Sequence, residues 1–152
     1  MRFAFATACG SPRSLRTITR RPSTMNVEVS TAIDELKRQF GEALFQIRED
    51  GQGGAYVVIE SVSLGPRYQP SSTWLGFQIA AQYPYADIYP VFIGANVSRA
   101  GGLAFSPPIT PGHTFEGRPA LQISRRNASA TSAPQKATSK ILKVLAFLEN
   151  LP

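Results

Sequence analysis

Histidine occurs once in this chain of 152 residues, at position 113 in "TPGHTFEG". Thr110 and Thr114 flank it, and Ser106 precedes it in a proline-rich run. An imidazole beside a hydroxyl can act as the general base that activates an oxygen nucleophile. Ser106, Thr110, His113 and Thr114 are therefore the catalytic candidates, with Glu116 the nearest carboxylate to orient the ring. A solvated loop histidine explains the same residues without any chemistry. A second polar cluster is Ser124-Arg125-Arg126. Paired arginines bind carboxylates in bidentate geometry, and they equally satisfy loop carbonyls. Ser124, Arg125, Arg126 and His113 are the partner-binding candidates.

Other chemistries lack their residues. One histidine cannot build a metal site, and no acid pair or ligand spacing stands out, so no metal and no cofactor is expected. The run "GQGG" (51–54) is not followed by Gly-Lys-Ser/Thr and reads as a hairpin turn rather than a phosphate loop. No Gly-x-Ser-x-Gly elbow is present. The one cysteine is Cys9, which leaves no thiol nucleophile beyond the first 24 residues.

The elements that must position these residues follow from periodicity. Val29, Ile33, Leu36 and Phe40 form one apolar stripe, which predicts a helix over 30–40 with Ser30 as N-cap and Gly41 as its stop. Strand patterns cover 43–49, 55–64, 73–81 and 90–95, joined by short turns, which predicts a four-stranded antiparallel meander. From Asn96 to Pro119 eight glycines and prolines interrupt any pattern, predicting a long irregular segment, which in a compact domain tends to be functional. A short element spans 120–126 and a loop spans 127–134. A final helix is predicted from a capping box of Ser132 and Gln135, with Pro134 in its first turn and Ala137, Ile141, Leu145 and Leu148 as its buried stripe. The fold class is α+β, with helices packed on one face of an antiparallel sheet.

Composition limits the function classes. The chain is 43% hydrophobic and 17% charged, as in ordinary globular proteins, with a net charge of +6. Residues 1–24 hold Arg2, Arg13, Arg16, Arg20 and Arg21 and no acid, so residues 25–152 carry only 6 − 5 = +1. A nearly neutral fold gives no electrostatic reason to expect nucleic acid, and no apolar run approaches the ~20 residues of a membrane span. A cytoplasmic protein is expected. Residues 1–24 read as an extension outside a domain of residues 25–152. They fit a disordered or non-native segment ahead of Met25, a transit peptide, or an export or lipoprotein signal with Cys9 as acceptor.

One motif remains, "YPYADIYPVFIG" (83–94), with Tyr83-Pro84 closing one strand and Tyr89-Pro90 opening the next. Proline cannot donate to a ladder, so both pairs suit strand ends. Together with the order of elements, these pairs resemble the ubiquitin-conjugating enzyme (UBC) superfamily. "LQISRRN" (121–127) followed by "KILKVLAFLENL" is similar to a divergent bacterial branch of it. The resemblance implies a UBC-like fold over most of residues 26–151, with an active-site segment at 96–119. It implies as partners a ubiquitin-like protein and its activating enzyme. The family's thioester cysteine is missing from that segment. The expectation is therefore a cysteine-less binding or adaptor component of a ubiquitin-like modification pathway. The alternatives are a Ser/Thr-based hydrolase or transferase on an unrelated α+β fold, and an interaction domain with no link to ubiquitin.

Overall fold

Apolar residues at every second position build the centre of this protein, seen here in a computed structural model that describes residues 21–41 and 43–152. Cys9 and the rest of the N-terminal extension through residue 20 lie outside the described residues. Val57 and Ile59, Leu75, Phe77 and Ile79, Ile93, and Ile123 all point to one sheet face and are 1% exposed or less. Such alternation commits one face of a strand to the core.

The strands are β1 (Phe45–Glu49), β2 (Ala55–Ser63), β3 (Tyr68–Gln69), β4 (Ser72–Ile79), β5 (Val91–Gly94), β6 (Ser98–Arg99), β7 (Ile109–Phe115) and β8 (Arg118–Ile123). Six of them form one antiparallel sheet in the order β1-β2-β4-β5-β8-β7. The short β3 and β6 pair separately. Helices α1 (Val27–Phe40) and α2 (Ala137–Glu149) cover the apolar face. Val29, Ala32, Ile33 and Leu36 of α1 and Ala137, Ile141, Val144 and Leu148 of α2 close the core. The protein is thus α+β.

The sheet has six strands rather than four, because the segment predicted as irregular contributes β7 and the short element expected at 120–126 forms β8. Residues 109–115 form β7, the outermost strand, which folds back on β8. An edge strand tolerates proline because its outer N–H groups need no ladder partner. Pro111 and Gly112 fall where the register shifts between Thr110 and His113, and Gly112 has φ 84°. A bulge there absorbs the two residues that break the sequence pattern. The β7–β8 turn is Glu116-Gly117, both at positive φ (49° and 76°), the backbone that two-residue hairpins favour.

Three helix details also differ from the sequence reading. The first helix begins at Val27, and the Ser30 N–H already bonds the Asn26 carbonyl (3.0 Å). The Asn26 side-chain amide donates to the Ala81 carbonyl, tying the helix start to the end of β4. The second helix begins at Ala137, so no capping box forms. Gln135 is committed elsewhere: its N–H donates to the Pro84 carbonyl and its side-chain oxygen accepts from Asn127. Leu145 is only half-buried, and Val144 takes its place in the stripe.

The opposite sheet face carries a smaller aromatic cluster. Phe115 lies 4.9 Å from the Phe92 ring and 6.4 Å from Trp74, centroid to centroid. It sits over Gly76, where a Cβ would come within 2.5 Å of the Phe115 ring. Arg48–Glu116 (2.7 Å) and Arg118–Glu60 (2.6 Å) flank this cluster.

Candidate functional site

The two tyrosine-proline pairs lie in different surroundings, Tyr83-Pro84 beside α1 and Tyr89 beside the loop after β8. Tyr83 is 8% exposed, and its hydroxyl accepts the Ala137 N–H at 3.1 Å. A first-turn N–H has no partner inside its own helix, so Tyr83 caps the start of α2 from another element. Burial pushes the Tyr83 phenol up, the Ala137 N–H opposes this, and the nearby Glu35 carboxylate adds to it. Tyr89 is half-buried beside the end of β8. Nearby Ser124 and Arg126 draw its phenol below the usual value.

Past the end of β8 the chain delivers Arg125 and Arg126 to a cleft of about 380 Å³ beside α2. The Arg125 guanidinium lies 4.2 Å from the Phe147 ring centroid, and that of Arg126 lies 4.2 Å from Tyr89. Stacking on an aromatic face restrains a guanidinium while leaving its N–H fork available. Lys136, Lys140 and Lys143 line the same cleft from the helix side. Lys140 is held by Asp87, with Nζ 2.9 Å from Oδ1, and donates to the Arg125 carbonyl at 2.6 Å. Asp87 also accepts the Asn127 N–H at 2.6 Å. This part-buried pair joins the loop before β5, the loop after β8 and α2. Arg125, Arg126, Lys136 and Lys143 form no salt bridge among the described residues. Four cations facing one cleft without acids can bind an anionic group.

The sequence-predicted candidates separate in space. Arg125 and Arg126 line the cleft, Arg125 stacked on Phe147 and Arg126 on Tyr89, whereas Ser124 does not line it. His113 lies on β7 and does not line it. Thr110 and His113 do come together, with Oγ1 3.1 Å from Nε2. No carboxylate orients that ring among the described hydrogen bonds, because Glu116 is bound in bidentate fashion by Arg48 (2.7 and 2.8 Å). Ser106 is exposed ahead of Pro107, and Thr114 is exposed on β7. No group of three or more His, Cys, Asp or Glu capable of holding a metal occurs among the described residues. No helix among them is long and apolar enough to cross a membrane.

The lysines are cleft-lining residues that sequence reasoning passed over. Lys136, Lys140 and Lys143 fall at i, i+4 and i+7, a basic stripe beside the apolar one, and that spacing is visible in the sequence. Their convergence with Arg125 and Arg126 is not. Comparison of the chain with protein-family models, with curated proteins and with solved structures returned no match.

Proposed function

We propose that this chain is a UBC-like component of a bacterial ubiquitin-like modification pathway, acting by binding rather than by thioester transfer. In this reading the cleft beside α2 receives the C-terminal carboxylate of the ubiquitin-like partner. The observation that carries it is the set of four acid-free cations in that cleft, two of them restrained on aromatic rings. Support comes also from the order α1, β1, β2, β4, β5, with Tyr83-Pro84 beyond β4 and Pro90 directly before β5. The lack of any cysteine after Cys9 argues against thioester chemistry.

The Thr110–His113 hydrogen bond favours a second reading, in which Thr110 Oγ1 attacks the thioester carbonyl of the activated partner, His113 takes the hydroxyl proton, and the activating enzyme's thiol leaves as an oxyester forms. Without a carboxylate behind the ring it is the weaker of the two. One experiment separates them. The full chain is incubated with the partner, its activating enzyme and ATP. Binding without a covalent adduct, weakened by Arg125→Ala, is the expected result. An adduct removed by reductant overturns the binding reading. An adduct that survives reductant but yields to hydroxide, and is lost in Thr110→Val, establishes the second.

A further inference from the structure

Four unpaired cations are more than one carboxylate needs, since a single guanidinium fork satisfies both of its oxygens. Arg125, Arg126, Lys136 and Lys143 all line the cleft of about 380 Å³, and no acidic residue does among the described residues. Lys140, the fifth cation there, is matched by Asp87 at 2.9 Å. A second cavity of about 440 Å³ adjoins this cleft, and Arg126 and Asn127 line both. Tyr85, Ala86, Tyr89 and Ala130 give it a largely apolar wall. Arg126 stands between the two cavities, stacked on Tyr89 at 4.2 Å. The Tyr85 ring is 54% exposed. It takes part in no aromatic pair and no cation stack among the described residues.

We infer that the two cavities together take a nucleoside di- or triphosphate, with its phosphates in the basic cleft and its base on the Tyr85 ring. Guanidinium forks and ammonium groups both hold phosphate oxygens, and the surplus of positive charge matches a group that carries several negative charges. A free aromatic ring stacks on any base, because every base has a π-face. Asp87 also lines the second cavity, but its carboxylate is already engaged by Lys140. The domain of residues 25–152 is nearly neutral overall, which suits a small anion in one acid-free cleft rather than a nucleic-acid strand tracking a basic stripe. A bound nucleotide occupies the cations assigned above to a partner's carboxylate, so the two ligands compete for one cleft.

The test is calorimetric titration of the full-length protein with ADP, GDP, CDP and UDP, and with pyrophosphate. It needs no partner protein, so its failure leaves the carboxylate reading standing. At least one of the diphosphates should bind, and pyrophosphate about tenfold more weakly, for want of a stacked base. Tyr85→Ala should weaken the nucleotide by about tenfold and leave pyrophosphate as it was, a split that simple misfolding does not produce. Arg125→Ala and Lys143→Ala should each weaken nucleotide and pyrophosphate alike, by about tenfold for the arginine. If none of the four nucleotides binds, the inference is wrong. Pyrophosphate binding as tightly as every nucleotide, with Tyr85→Ala inert, would give the cleft to inorganic phosphates and overturn it. Binding untouched by both Arg125→Ala and Lys143→Ala would place the nucleotide elsewhere and also overturn it. A single-stranded oligouridylate that binds more tightly than any mononucleotide would make the surface a nucleic-acid site and overturn it as well.

Discussion

Replacing Tyr83 with Phe removes one oxygen and leaves the ring in place, which makes it a clean probe of how α2 is held. The Tyr83 hydroxyl accepts the Ala137 N–H at 3.1 Å, and Ala137 is fully buried. In Tyr83→Phe that N–H faces a ring edge and has no route to water. A buried donor left without a partner costs about 1–3 kcal/mol. No cavity forms, so the packing contribution is small. For a chain of this size each kcal/mol lowers Tm by roughly 2–4 °C, giving a drop of roughly 2–12 °C. Urea unfolding followed by Trp74 fluorescence measures it, with an unchanged m-value as the sign that only stability moved. Tyr89→Phe is the control. Tyr89 is only half-buried and its hydroxyl holds no helix N–H, so the unfolding midpoint should stay where it is. A Tyr83→Phe midpoint equal to wild type, or equal losses in both variants, would refute the cap and with it the account of how the first tyrosine-proline pair anchors the second helix.

Two further outcomes follow from burial and charge. Ile141→Ala should cost about 2–5 kcal/mol, since Ile141 is fully buried, and Leu145→Ala distinctly less, since Leu145 is half-exposed; equal losses in urea unfolding would mean the helix is rotated from the orientation described. Acid should destabilise the fold through three carboxylates. Burial raises the Asp50 carboxyl, but the N–H groups of Gln52 and Gly54 and the Gln78 amide outweigh it and hold it below its ordinary 3.8. Glu116 is depressed below 4.5 by Arg48, and Glu49 below 4.5 by Ser23 and Thr24. A depressed carboxyl stabilises fully above its unfolded value and loses that contribution as pH falls through the folded one. Stability should therefore be flat above about pH 5 and fall below about pH 4.5, with a shallower fall in Asp50→Asn. A pH profile unaltered by Asp50→Asn would remove Asp50 from this account.

Local chemistry settled much of this molecule. Alternation along β4 puts Leu75, Phe77 and Ile79 on one face, and all three are fully buried. The i, i+4, i+7 stripe of α1 placed Val29, Ile33 and Leu36 in the core, and the α+β class followed from the order of such patterns. The sequence also fixed what the candidate site lacks, since a missing cysteine needs no structure to be seen. Tertiary contact decided the rest. Pro111, Gly112 and Pro119 read as breakers, and only the position of β7 at the sheet edge, with a bulge to absorb two of them, let the segment pair. Glu116 seemed placed to orient His113 by its spacing, yet Arg48, 68 residues away in sequence, claims both its oxygens. Residue spacing reports neighbours within about one turn or one strand. The cleft draws Arg125, Arg126, Lys136 and Lys143 from the end of β8 and from α2 with its approach, and their convergence depends on how these are tied together by Asp87 and Lys140.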